Sequence, residues 1–130
     1  MRTDGYFDDQ ECPRVRIQAV TGQVFDAVIN TAFSGDLWMP KNILLSLGFV
    51  SRGTVHVELS DGAVRPAELF AGNVLWFGQK RRVTAIAADG RSTCVGMGML
   101  RNVSLTIRPH KKLVYLEAPF EGSDREPAAP

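Results

Sequence analysis

A chain of 130 residues, 45% of them hydrophobic, is long enough for one domain with a single small core. Its 15 Lys and Arg nearly balance 14 Asp and Glu, so no global field draws it to nucleic acid or to an anionic membrane. Cys12 and Cys94 stand far apart without ligand spacing, which argues against a zinc site, a disulfide framework or any cofactor. The N-terminus lacks the apolar stretch of a secretory signal and no run approaches a membrane span. A cytoplasmic protein with free thiols is therefore expected.

Residues 1–12 mix charged and aromatic side chains without a period, which predicts a loosely held N-terminal arm. Residues 14–20 alternate polar with apolar, as a strand with one wet face does. Thr21-Gly22 is the turn. Residues 23–29 return as a second strand whose consecutive apolar end implies burial on both faces, and which delivers Asn30 to the interior. Pro40 fits the first turn of a short helix over 43–47, with Gly48 as its stop and its leucines in the core.

Residues 54–59 then alternate up to Ser60-Asp61-Gly62, and 63–70 descend, which is a strong hairpin signal. Pro66 cannot donate to a ladder, so this hairpin is expected at an edge, free to project and move. Another strand over 72–77 turns at Gly78-Gln79 into 81–88, with Lys80-Arg81-Arg82 a solvated hairpin end. Residues 93–100 predict a strand entering a glycine turn and a short helix. Strands over 103–107 and 113–116 close the chain, and 119–130, with three of the seven prolines, predicts a disordered tail. Many short strands and two short helices describe a small all-β barrel or folded sheet.

The order of these elements resembles the retropepsin-like aspartic peptidases over residues 14–117, and looks closest to their bacterial and archaeal branch. The resemblance rests on the loop Asn30-Thr31-Ala32-Phe33-Ser34-Gly35 after an apolar strand, then Leu37-Trp38-Met39-Pro40 and Ile43-Leu44-Leu45. The Asp61-Gly62 hairpin follows, and Cys94-Val95-Gly96 precedes Met99-Leu100. It implies a closed β-barrel over 13–118 that forms a homodimer with its cleft on the two-fold axis. Each copy would contribute one loop and one flap, the flap tip being Ser60, Asp61 and Gly62. An extended peptide would lie between them, in pockets expected from Phe33, Leu37, Val57, Leu59, Val64 and Ile86. Val95 and Gly96 would brace the loop, and the Thr31 hydroxyl would reach the opposite loop.

In such enzymes two aspartates share a proton, and the ionised partner activates a water against the peptide carbonyl. Asn30 stands at the aspartate position and Ala32 replaces the usual glycine. An amide is no general base, so the scaffold is that of an aspartic endopeptidase expected to be inactive as written. A non-catalytic module that binds a peptide or partner as a dimer is the alternative, and a structural dimer with a closed cleft is a third reading. An Asp-to-Asn exchange in an active enzyme, a natural member that has abandoned the chemistry, and a different alignment of the loop all account for Asn30. Ala32 favours the second, because one exchange would not alter two motif positions.

Other side chains offer less. Asp26 shares a strand face with Asn30 but lies at a surface position, and Asp36 suits a turn or an amide acceptor. His56 and His110 are too separated for a metal pair or triad, and Ser34 lacks a nucleophile-elbow context. Trp38 and Trp76 read as core aromatics, and Met97 and Met99 as fillers around the glycine turn.

Overall fold

The computed structural model describes residues 1–90 and 92–119. In chain order its elements are β1 (Arg2–Asp4), β2 (Tyr6–Phe7), β3 (Pro13–Ala19), β4 (Val24–Ile29), β5 (Leu37–Pro40) and α1 (Lys41–Ser46). These are followed by β6 (Val50–Glu58), β7 (Val64–Trp76), β8 (Gln79–Ala88), β9 (Cys94–Val95), α2 (Met97–Leu100) and β10 (Ser104–Arg108). A 3-10 turn, Pro109–Lys111, leads into β11 (Leu113–Glu117). The protein is mostly β, as expected. The tail predicted over 119–130 lies, beyond Pro119, outside the described residues. No helix among the described residues is long and apolar enough to cross a membrane.

Alternation decides which face each strand buries. In β3, Val15, Ile17 and Ala19 are buried while Arg16 and Gln18 are exposed. The large sheet runs β2-β3-β4-β9-β5-β8-β7-β6, and a further pairing of Gln18 and Ala19 with Leu75 and Val74 sets β3 against β7. Inside it gather Ile17, Leu37, Met39, Leu44, Phe70, Val74, Val83, Val95 and Met99, each at most 1% exposed. A second sheet, β1-β11-β10, adds Val114 and Leu116 to this cluster.

The N-terminal stretch departs from the expected loose arm. Its aperiodic sequence hides two short ladders, Arg2 to Asp4 against Tyr115 to Glu117 and Tyr6-Phe7 against Pro13-Arg14. Side chains add to them. Tyr6 donates to Asp26 Oδ2 at 2.7 Å, and Arg14 Nε donates to Asp8 Oδ2 at 2.6 Å. The Arg14 guanidinium, helped by the Cys12 N–H, holds the Asp8 carboxyl below its ordinary range. A carboxylate whose pKa is lowered on folding stabilises above its unfolded pKa, and that contribution is lost as pH falls through the folded one. The thermal midpoint is therefore expected to drop on acidification below about pH 4, and to drop less in Asp8→Asn. Parallel acid slopes for the two proteins in a pH series of melts would contradict this.

Four further expectations shift. Residues 37–40 form a strand, β5, with Pro40 as its last residue just ahead of α1. Leu44 and Leu47 of the helical segment are buried, but Leu45 is exposed, because a helix of this length shows the core one face only. Residues 63–70 and 72–77 are largely one strand, β7, which passes straight through Gly72 with the Phe49 ring packed where a Cβ would be. The following turn is Phe77-Gly78, both at positive φ (54° and 79°), because Trp76 pairs with Gln79.

The β6–β7 hairpin is at the sheet edge, as Pro66 predicts. β8 accompanies β7 only as far as the Leu69–Ile86 pair. Beyond it the hairpin, with Pro66 opposite His56, continues as two strands alone. It therefore stands clear of the sheet beyond that pair.

Candidate functional site

The loop carrying Asn30 is built by three strands meeting. β9 lies between β4, parallel to it, and β5, antiparallel to it, with Ile29 and Leu37 both opposite Val95. The chain must therefore leave β4, cross over the end of β9 and enter β5 within residues 30–36. Backbone hydrogen bonds fix this crossing. Asn30 N–H donates to Val95 O at 2.9 Å and Phe33 N–H to Asn30 O at 3.2 Å. From the far side Gly96, Met97 and Gly98 donate to the carbonyls of Asp36, Phe33 and Gly35 at 2.9, 2.7 and 3.0 Å. Val95 and Gly96, both buried, thus sit where the brace was expected.

Gly96 is required there by approach. At φ −110° and ψ −174° its backbone suits any residue, but a Cβ would meet the Gly35 carbonyl oxygen and lie 2.5 Å from Phe33 O and Cδ2. Arg81 secures the other end of the brace, donating from Nη2 to Gly98 O at 2.8 Å and from Nη1 to Met99 O at 3.4 Å. Part of the Lys80-Arg81-Arg82 run is therefore internal bracing rather than a solvated end.

Asn30 is half-buried rather than interior. Its Oδ1 accepts Ala32 N–H at 3.0 Å, closing an Asx turn, while its side chain also lies beside the Cys94 thiol. Burial pushes that thiol's pKa up, and the Asn30 contact and the charge of Arg14 only partly oppose the shift. Cys94 is accordingly a neutral thiol near pH 7. Thr31 and Ala32 are exposed at the crest of the loop.

Facing the loop is the hairpin. In β6 and just past it Val57 and Leu59 are half-buried while His56 and Glu58 are exposed, so the apolar side is turned toward the sheet. Between hairpin and loop lies a mostly apolar cavity of about 560 Å³, walled by Asn30, Ala32, Phe33, Trp38, Val57, Leu59, Ser60 and Cys94, with Glu58 and Ser92 at its margin. Phe33 and Trp38 meet edge to face, centroids 5.8 Å apart at 86°. Trp38, Val57 and Leu59 also wall an adjoining recess of about 340 Å³ that reaches Lys41, Arg65 and Glu68. The hairpin tip closes on itself: Ala63 N–H donates to Asp61 Oδ1 at 2.9 Å, and Gly62 has φ +87°.

The expected pocket set is half gathered here. Phe33, Val57 and Leu59 line the cavity, as do Asn30, Ala32 and Ser60. Leu37 does not, being fully buried between Val95 and Ala85. Val64 pairs with Glu58 and so takes the exposed face, at 61% exposure. Ile86, paired with Trp38 and Leu69 in the sheet, is not among the residues that line the cavity. Trp38, expected in the core, belongs instead to the cavity, and Cys94 was not expected there at all. The signal for Trp38 was present: in a strand over 37–40, Leu37 and Met39 face one way and Trp38 the other.

The remaining candidates are structural. Asp26 accepts from Tyr6 and pairs with Arg16 at 3.4 Å on the surface. Asp36 accepts Thr84 N–H at 3.0 Å from its Oδ2. His56 and His110 are exposed on separate elements, and among the described residues no group of three or more His, Cys, Asp or Glu could hold a metal ion.

No family model matches the chain, and no curated protein does. The chain is, however, similar to a solved structure, the crystal structure of a retropepsin-like aspartic protease from Rickettsia conorii. The two share 16% identity and a TM-score of 0.67, with 91% of each chain covered. That likeness shows the fold: two sheets, the crossing loop, its glycine brace and the projecting hairpin together make a retropepsin-like architecture.

Proposed function

We propose that two copies of this chain pair to hold an extended peptide between the Asn30 loop and the β6–β7 hairpin, and that they do not cleave it. The observation that carries this reading is the cavity itself, apolar where a peptide side chain would enter and floored by an amide where hydrolysis needs a carboxylate. The amide oxygen is already committed to Ala32 N–H, and an amide beside a neutral thiol is no base. Strand alternation of a bound peptide places every second side chain toward Phe33 and Trp38.

Homodimerisation rests on the loop crest, where exposed Thr31 has no hydrogen-bond partner among the described residues. The β3–β7 pairing supports a closed barrel over 13–118. A cytoplasmic location suits the two free thiols. Titrating dye-labelled extended apolar peptides into the unaltered protein, with sizing alongside, tests the reading. Saturable binding by a dimer is expected, weakened at least about tenfold in Trp38→Ala, the loss of one buried aromatic anchor. No binding by a folded dimer would leave only the structural-dimer reading. The competing peptidase reading is favoured by the intact loop, brace and hairpin, and it stands or falls with Asn30→Asp.

A further inference from the structure

At the opposite end of β7 from the hairpin tip, the Phe77-Gly78 turn opens beside Met1 and Pro119 onto a larger cavity, of about 730 Å³. Three cationic side chains reach its wall: Lys80, Arg81 and Arg101. Among the described residues that line it, none is a carboxylate. Gathering like charges around one space without a counter-charge is unfavourable, and an anion entering that space relieves it. Arg81 gives one donor each from Nη1 and Nη2 to the α2 carbonyls, which leaves it three N–H groups. Lys80 and Arg101 make no ion pair among the described residues.

A second observation lies in the same wall. Trp76 is 8% exposed, and its indole Nε1 is buried without an acceptor among the described residues. With no surface of its own on the cavity, that donor belongs to the packed floor rather than to a ligand's contacts. Phe77 packs edge to face on Trp76, centroids 5.2 Å apart. Its φ of 54° is the one that the two-residue Phe77-Gly78 turn requires. We propose that this cavity is an anion site for a small oligophosphate, separate from the peptide cleft, with Arg81, Lys80 and Arg101 as its cations and the Trp76–Phe77 pair as its floor. The guanidinium fork suits phosphate oxygens, and the aromatic floor suits a ligand that also carries a base.

Because Arg81 braces α2 and the exposed Lys80 and Arg101 have no hydrogen-bond partner among the described residues, the test removes the latter two. Trp38→Phe leaves Trp76 as the single indole, so its fluorescence reports the cavity in the full chain. Tripolyphosphate and ATP are titrated at constant ionic strength, with sulfate as the control. A saturable change with either oligophosphate, at least tenfold weaker in Lys80→Gln/Arg101→Gln, is the expected result. Tighter binding of ATP than of tripolyphosphate would assign the aromatic floor to a nucleobase, and equal binding would assign the site to the phosphates alone. A response to sulfate equal to that of the oligophosphates, or one unchanged in the double variant, overturns the proposal.

Discussion

Gly96→Ala is expected to lower the unfolding free energy by about 3 kcal/mol, at the upper end of what overpacking costs. The reason is local and geometric. Alanine tolerates the backbone angles at this position, so no torsional strain is involved. The added methyl instead runs into the carbonyls of Phe33 and Gly35, which are the acceptors for Met97 and Gly98. Backbone already tied by hydrogen bonds on both sides has nowhere to go. Either those bonds break or α2 moves off the loop, and both leave buried polar groups unpaired. A fall in the thermal midpoint on the order of 10 °C should accompany the change. Gly22→Ala is the comparison. Gly22 has φ +100° with nothing within 4 Å of a Cβ, so it should cost only about 1 kcal/mol through backbone strain. Equal losses at the two sites by denaturant titration would show that the brace is looser than its hydrogen bonds suggest.

The same brace explains how far the sequence could be read. Residues that set the local backbone were legible: the Asp61-Gly62 turn, the alternation of β3, and the Val95-Gly96 turn ahead of a short helix all occupy their expected places. Long-range pairing was not. Arg2 to Asp4 gains its ladder from β11 more than a hundred residues later, and nothing in three aperiodic residues announces that. β5 was hidden for a related reason, since four residues ending in proline carry too little pattern, and missing it misplaced Trp38 and Leu37 together. At the site, chemistry carried by one residue was readable and chemistry carried by proximity was not. Asn30 stood out from its own loop motif, whereas Cys94 became its neighbour only through the parallel pairing of β4 with β9. Arg81 likewise belonged to a short basic run whose ordinary reading is solvated, and its bonds to Gly98 O and Met99 O are visible only once α2 is in place.

On the peptidase reading, Asn30→Asp is expected to give the chain cleavage of extended apolar peptides. The exchange keeps the side chain's shape, so a carboxylate oxygen inherits the Ala32 N–H now 3.0 Å from Oδ1. What changes is the second contact. The carboxylate can only accept, and the neutral Cys94 thiol beside it can donate, so the turn held by Ala32 N–H survives. In a dimer two such carboxylates meet, like charges in contact hold one proton between them, and the pair becomes both acid and base for an attacking water. Positioned acid–base groups contribute roughly 10²- to 10⁴-fold, so cleavage in the variant should exceed that of the unaltered protein by at least about a hundredfold. The rate should peak at acid pH and decline as the shared proton is lost, and pepstatin should suppress it. Asn30→Asp/Ala32→Gly separates two causes of failure, because the glycine removes the methyl from the loop crest. Cleavage only in the double variant would make Ala32 a steric block. A folded, dimeric double variant that cuts nothing at any pH would end the peptidase reading and leave the peptide-binding one in place.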